Sequence, residues 1–193
     1  MNVTSYDRTV IVKHLKENLG HPDEGWSNEG GPDRIRVARF PDQPWEGINT
    51  FATDGLSSHL LSMGQDVGTA RMEVLFAAYP RYSSEAIAGF VLSFCDFVLS
   101  KHWAFVSGEI VGPYKWPIIE GVELNAVYSA PFTYFEDNLH FCPGTSPPTV
   151  ICWVLPIHAA EAAYIRKHGH EAFDNLVEAN DPDLWDLNRE SVV

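Results

Sequence analysis

The 193-residue sequence predicts an α+β fold, with helices packed against a sheet in a single domain. The main evidence lies in residues 149–177, where the apolar run VICWVL is typical of a strand covered on both faces. Two helical segments follow this run directly and can cover the sheet. One domain is expected because the chain is long for one compact domain and short for two. The apolar fraction of 45% is also typical of a globular chain.

The charge balance is strongly acidic, since 13 lysines and arginines stand against 26 aspartates and glutamates, for a net charge of −13. Such a field repels nucleic acid and anionic membranes and attracts basic proteins. We therefore predict a protein partner and neither nucleic acid nor membrane, although solubility alone also accounts for the charge. The N-terminus lacks the apolar core of a signal peptide, and no window approaches a membrane span, which favours a cytoplasmic protein.

Cysteine and histidine usage indicates neither disulfides nor a metal site. Cys95, Cys142 and Cys152 lie in or beside apolar runs, and their odd number favours reduced, buried thiols. His140 with two of these cysteines would offer three zinc ligands, but tight Cys-x-x-Cys spacing is absent, so we predict no metal and no cofactor. The common signatures of serine hydrolases, phosphate-binding loops and zinc proteases are also absent, and no catalytic residue is assigned.

Capping residues and apolar periodicity predict the N-terminal elements. A helix is predicted over residues 6–19, capped by Ser5, with one apolar stripe. Residues 21–32 are rich in turn formers, so Trp26 is expected in an exposed or half-covered loop, as a contact residue or as an anchor to the body. Residues 34–40 alternate as a half-buried strand, whose arginines either pair with carboxylates or bind an anion.

The middle of the chain is predicted to form two strands and the longest helix. Residues 48–57 are an extended run that ends in a turn, and residues 71–76 alternate as a strand. Ser83 or Ser84 caps the helix that follows. A wide apolar stripe, typical of a core helix, runs along it at Ile87, Phe90, Val91, Phe94, Cys95 and Val98.

The last third begins with a predicted strand at residues 123–128 and a loop at residues 136–148. The central strand comes next, and Pro156 is expected to end it. The following helix, over about residues 158–168, carries Glu161 in its first turn, where the helix dipole favours a carboxylate.

The C-terminal segment is predicted to interact with a partner. Gly169 terminates the first helix and a second short helix follows. Residues 178–193 then mix acidic residues such as Asp183 and Asp186 with apolar ones such as Trp185. We interpret this segment as an acidic docking tail.

Five short motifs occur in the order known from one protein family. They are Thr53-x-Gly55-Leu56-Ser57, Arg71-x-Glu73, Ser107-Gly108-Glu109, Ala130-Pro131, and Leu155-Pro156-Ile157 with Glu161 and Gly169. On these motifs, which cover about residues 48–177, the chain resembles the suppressor of fused (SUFU) domain family, bacterial single-domain type. The resemblance implies a central, mostly antiparallel or mixed sheet flanked by helices. It also implies structural roles for the residues of the first, second and last motifs.

The resemblance further implies a function without enzymatic activity. Stand-alone bacterial members are thought to be immunity proteins that bind and neutralise a toxin encoded beside them, and the charge favours a basic toxin. In animal members, the carboxylate that aligns with Glu109 contributes to binding a short peptide, and Glu109 is one methylene longer. Together with Trp26 and with Asp183, Trp185 and Asp186 of the docking tail, Glu109 completes the set of candidate partner-binding residues.

Two other functions stay open at this point. One is a peptide-binding regulatory adaptor that uses an exposed sheet edge. The other is an uncharacterised hydrolase that uses Cys142, His140 or Glu161.

Overall fold

A computed structural model describes residues 7–28, 34–64 and 67–193 of the chain. Within these residues lie five helices, α1 Arg8–Leu19, α2 Ser84–Lys101, α3 Asp137–His140, α4 Ala159–His168 and α5 His170–Asn180. A short 3-10 turn forms at Leu56–Ser58. None of the helices in the described ranges is both long and apolar enough to cross a membrane.

The strands of the described residues build one open, mixed sheet. They are β1 Glu24–Ser27, β2 Arg36–Pro41, β3 Asn49–Asp54, β4 Leu61–Ser62, β5 Thr69–Ala78, β6 Ile110–Val111, β7 Ala126–Ala130, β8 Phe141–Cys142 and β9 Thr149–Ile157. Seven of them follow the order β1-β2-β3-β5-β9-β7-β6, while β4 pairs with β5 and β8 with β9. Only β5 and β9 pair in parallel among these nine strands. The predicted α+β fold with a mixed sheet is confirmed.

Two core layers lie on opposite faces of this sheet. The first core layer holds the apolar stripe of α2 together with Cys152 and Val154 of β9. The second core layer holds buried residues of α1, α4 and α5 together with Trp153 and Leu155 of the same strand. Successive side chains of a strand point to opposite faces, so both layers draw on β9. This explains why VICWVL is apolar throughout: both faces of the strand are covered, and only Val150 at its start is half-buried.

Several helix boundaries follow the predicted caps. The hydroxyl oxygen of Ser83 accepts a hydrogen bond from the backbone N–H of Ala86 at 3.2 Å, so Ser83 is the cap of α2. Helix α4 begins directly after His158, and Gly169, with a φ of 87°, separates it from α5. A positive φ of this size favours glycine, as expected for a helix terminator.

The first helix begins two residues later than predicted. Asp7 is its cap, since the carboxylate accepts a hydrogen bond from the backbone N–H of Thr9 at 2.9 Å. This bond satisfies one of the amides that the first helical turn leaves without a partner. The predicted cap, Ser5, lies outside the described residues.

Trp26 lies in a strand and not in a loop, which corrects the prediction for residues 21–32. It belongs to β1 at the edge of the sheet and pairs with Val37 of β2. Its ring is half-buried beside the first core layer, with its centroid 6.1 Å from that of Phe51. The sequence pattern did not predict this strand, because it has only four residues and turn-forming residues surround it.

Pro156 does not end the central strand, contrary to the prediction. β9 continues to Ile157, and Pro156 is paired with Val127 of β7. In a strand, the backbone N and carbonyl O of one residue point towards the same neighbouring strand. The carbonyl of Pro156 accepts a hydrogen bond from Arg189, so it points away from β7. The pairing of β9 with β5 has already ended at Trp153 on that side, so the missing N–H breaks no ladder bond.

Two smaller differences concern the segments before β9. The strand predicted at residues 123–128 lies at Ala126–Ala130. The predicted loop at residues 136–148 contains α3 and β8, and β8 pairs with β9. Such short elements bury few side chains, so their sequences show little periodicity.

Candidate protein-binding surface

The first two family motifs meet around one buried carboxylate, that of Glu73 on β5. It accepts hydrogen bonds from the hydroxyls of Thr53 and Ser57, both at 2.5 Å. The backbone N–H groups of Gly55, Leu56 and Ser57 donate to it at 2.9, 3.3 and 3.0 Å. Burial raises the pKa of Glu73, and these hydrogen bonds act against that rise. The motif therefore builds a closed internal site that no partner can reach.

Neighbouring charged residues fasten the same turn to the rest of the chain. Arg71 is buried and donates a hydrogen bond to the carbonyl of Ser57 at 2.7 Å. Asp54 accepts hydrogen bonds from Arg36 of β2, at 3.0 and 3.1 Å, and pairs with Arg8 of α1. The end of β3 is thus tied to a helix and to a neighbouring strand.

Replacing Gly55 with alanine is expected to lower the free energy of unfolding by at least about 2 kcal/mol. Its φ is 118°, and an added Cβ would lie 2.8 Å from the carbonyl oxygen of Arg34. Gly121→Ala is the matched control, because Gly121 also has a positive φ, 86°, but open space around it. Urea denaturation compares the two, and equal losses would contradict a role for the close contact at Gly55.

The last family motif holds the C-terminal segment in place. Glu161 is fully buried, and its carboxylate accepts a hydrogen bond from the backbone N–H of His158 at 2.9 Å, as in a capping box. Arg189 binds it through two parallel hydrogen bonds of 2.7 Å, and the backbone N–H of Val192 donates a fourth at 3.1 Å. Burial acts to raise the pKa of Glu161, but the bonds and charge of Arg189 outweigh it and hold the pKa below its usual value.

The C-terminal segment, predicted as an acidic docking tail, is packed against the rest of the domain. Trp185 is only 7% exposed and stacks on Trp153, with ring centroids 5.6 Å apart. Asp183 is exposed and accepts a hydrogen bond from the hydroxyl of Tyr79 at 2.8 Å. Asp186 is half-buried and pairs with Arg81 at 2.8 Å. Carboxylates of the segment face the solvent, whereas Trp185 packs in the second core layer.

Glu109 closes a tight turn before β6. Its carboxylate accepts a hydrogen bond from the backbone N–H of Val106 at 2.8 Å. Burial raises the pKa of Glu109, and hydrogen bonds from Val106 and Trp103 oppose that rise. The backbone of the turn is held by Ser129 of β7, which accepts from Gly108 N at 2.9 Å and donates to Glu109 O at 2.9 Å. The residue as a whole is half-buried.

The five residues predicted to bind a partner do not form one surface. Trp26 lies on β1, at one end of the strand order, and Glu109 directly precedes β6, at the other end. Asp183 accepts a hydrogen bond from the hydroxyl of Tyr79 and Asp186 from that of Tyr82, both beyond the end of β5. A single partner domain would have to span the sheet to contact all of them.

A further acidic surface lies on α5. Glu171, Asp174, Glu178 and Asp181 follow one another at spacings of three, four and three residues, which places them on one face of the helix. All are exposed except Asp174, which is half-buried and accepts a hydrogen bond from the hydroxyl of Tyr128 at 2.7 Å. None of these four residues was among the predicted binding residues, although their spacing is visible in the sequence.

The groups considered for catalysis or metal binding are occupied or buried. Cys142 is 1% exposed, and burial raises the pKa of its thiol. The ring of His140 stacks on Phe132 with centroids 4.9 Å apart, and burial lowers its pKa. Across residues 7–28, 34–64 and 67–193, no three or more His, Cys, Asp and Glu side chains are grouped to hold a metal ion.

Comparison with known proteins identifies relatives of this chain. The family model described as suppressor of fused protein (SUFU) matches residues 31–190, a wider range than the motifs span. The immunity protein YqcF of Bacillus subtilis (strain 168) is 27% identical over 196 aligned residues, which cover all of both chains.

Solved structures share the fold. A suppressor of fused homologue from Neisseria gonorrhoeae FA 1090 superposes with a TM-score of 0.69 at 18% identity, covering 96% of each chain. A chain of the Sufu–Fu complex gives 0.67 at 13% identity, over 95% of this chain and 91% of that one. Drosophila Suppressor of Fused gives the same TM-score and identity, over 95% of this chain and 50% of the longer fly chain.

Proposed function

The chain belongs to the suppressor of fused family, and from this premise we propose that it is a non-enzymatic, immunity-type protein that binds and neutralises a basic toxin domain. The observation that carries the proposal is the alignment with the B. subtilis immunity protein over the full length of both chains. The alignment therefore spans every helix and strand described above.

The charge of the chain supports a basic partner. The net charge is −13, and acidic side chains such as those along α5 face the solvent. A strongly negative surface accelerates the encounter with a positively charged protein and disfavours acidic ones. Nuclease domains are typically basic where they bind nucleic acid, so a toxin of that class fits this surface.

The state of the candidate nucleophiles and acids supports binding rather than catalysis. A reactive cysteine needs an accessible thiolate, whereas the thiol of Cys142 is buried with a raised pKa. A catalytic carboxylate needs access to substrate, whereas Glu161 is fully buried and bound to Arg189. A structural or binding role explains each of these side chains.

We expect the association rate with the toxin to fall at least about tenfold as NaCl rises from about 0.02 M to about 0.5 M. Affinity capture from the native host, with this chain as bait at low and at high salt, supplies the partner, which mass spectrometry identifies. Stopped-flow association with the purified partner then gives the rate, and a toxin activity assay tests neutralisation at a one-to-one ratio.

The dissociation rate is the internal control, since salt screens long-range attraction more than close contacts. A salt-independent association rate, or a bound partner whose activity is unchanged, would contradict the proposal. Peptide binding by strand addition at β1 is the second candidate, because among the described strands β1 pairs only with β2. Backbone hydrogen bonds would dominate such binding, so it would vary little with salt.

A further inference from the structure

A groove lies between α5 and the sheet, on the side of the second core layer. Its volume is about 410 Å³, within the range of small-ligand sites. Its wall is aromatic: Tyr134 packs edge-on against Trp153, with centroids 5.6 Å apart, and Tyr128 packs edge-on against Phe173 at 5.4 Å. The rings form a pre-built apolar surface next to solvent.

The rim of the groove is acidic. Asp174, Glu178 and Asp181 of α5 and its cap line it, and no lysine or arginine is among its described lining residues. Asp174 is engaged by Tyr128, but neither Glu178 nor Asp181 forms a side-chain hydrogen bond or ion pair with another described residue. Burial raises the pKa of Tyr134, and the charges of Asp181 and Glu178 raise it further, so both carboxylates act on the aromatic wall.

One residue of the groove wall carries a buried hydrogen-bond donor without an acceptor. Trp153 lines it and is 2% exposed, and its Nε1 has no hydrogen-bond partner among the described residues. Buried indole N–H groups usually have a partner, because leaving one unpaired costs free energy. Nε1 is itself buried, so it belongs to the wall and not to the open surface of the groove.

Aromatic rings and carboxylates together match one kind of side chain. A guanidinium group stacks on aromatic faces and at the same time donates hydrogen bonds to carboxylates. Lysine offers a more strongly hydrated point charge and no planar face, so it fits the ring wall less well. An acidic side chain would meet only negative charge at the rim.

We propose that this groove binds an arginine side chain of the basic partner, with the guanidinium between the Tyr134 ring and the carboxylates of Glu178 and Asp181. The proposal rests on the proposed immunity function and adds to it the part of the surface that recognises the toxin. It places the main contact on α5 and not on the residues predicted from the sequence.

The first test uses a defined probe and does not depend on the toxin. Acetyl-Gly-Arg-Gly-amide is titrated into the isotope-labelled protein and followed by NMR at the indole N–H of Trp153. We expect a saturable shift with a dissociation constant of about 1–10 mM. Acetyl-Gly-norleucine-Gly-amide, which lacks the charge, is expected to give no saturable shift.

The second test uses a charge-neutralised pair of variants and a matched control. Glu178→Gln with Asp181→Asn removes both rim charges, and asparagine suits the left-handed backbone at 181, where φ is 43°. We expect this pair to abolish the arginine-peptide shift and to weaken toxin binding about tenfold. Glu120→Gln with Glu123→Gln removes two exposed charges from another loop and should change affinity less than about twofold.

The outcomes separate this inference from the proposed function. If the toxin binds the wild type and both pairs equally well, the groove is not the site, while the immunity function stands. If the arginine and norleucine peptides shift the same resonances, or the shift survives neutralisation, the inference is overturned. If no toxin binds the wild type, the proposed function fails, and the peptide titration still decides whether the groove recognises arginine.

Discussion

Replacing Arg189 with alanine is expected to lower the free energy of unfolding by about 3–5 kcal/mol, because it leaves the buried carboxylate of Glu161 without its cation. Both side chains are almost wholly buried, and two hydrogen bonds of 2.7 Å join them. For a chain of this length, such a loss corresponds to a fall in Tm of about 6–20 °C. Thermal and urea unfolding, followed by circular dichroism, measure it directly.

The same pair makes stability depend on acid. The folded-state pKa of Glu161 lies below its unfolded-state value, so the pair stabilises the folded protein fully at neutral pH. That contribution is lost as the pH falls below about 4.3 and through the lower folded-state pKa. The stability difference between the wild type and Arg189→Ala should therefore narrow in acid, which unfolding curves across this pH range will show.

Arg81→Ala is the matched control for this prediction. Arg81 also pairs with a carboxylate, that of Asp186, but its side chain is 53% exposed, so its removal should cost no more than about 1 kcal/mol. A double-mutant cycle with Glu161→Gln and Arg189→Met should show that the double variant loses less than the sum of the two single losses. A loss below about 1 kcal/mol for Arg189→Ala would contradict the buried pair.

Replacing Glu73 with alanine is expected to cost more than about 4 kcal/mol, since it leaves several buried donors without an acceptor. Three of these donors are backbone N–H groups of Gly55, Leu56 and Ser57, which cannot rotate away. Glu73→Gln keeps one carbonyl oxygen for them and should cost only about 1–3 kcal/mol. Urea unfolding of both variants measures which of them loses more stability.

The conservative variant keeps the prediction testable if the alanine variant does not fold. Glu123→Ala is the control, because Glu123 is exposed and its loss should change stability by no more than about 0.5 kcal/mol. If Glu73→Gln proved as stable as the wild type, the hydrogen bonds to the second carboxylate oxygen would contribute nothing. If Glu73→Ala cost as little as the control, the site would have no role in stability.

Local features of the fold could be predicted from the sequence because their causes lie within a few residues. The apolar stripe of α2, its cap at Ser83 and the terminator Gly169 depend on backbone geometry and near neighbours. The unbroken apolar run of β9 identified the central strand, because only a strand covered on both faces is apolar at every position.

Predictions from local sequence patterns were wrong where contact with a distant segment determined the structure. Pro156 stays within β9 because β5 has left that side of the strand, and no sequence window contains both strands. Trp185 lies in the core because the C-terminal segment folds back onto Trp153, so an acidic and apolar mixture that resembles a docking tail is partly core. The acidic face of α5 could have been found from its spacing, but its aromatic neighbours come from β7, β9 and a loop.

The sequence by itself determined the class of the fold, most of its helices and strands, the family and the acidic character of the surface. Only the tertiary structure decided which motif residues surround Glu73, which arginine pairs with Glu161 across 28 residues, and where a groove opens beside α5. Periodicity and capping arise from short-range backbone geometry. Strand order, ion pairs and grooves depend instead on which buried surfaces meet when the whole chain packs, and one sequence window does not contain that information.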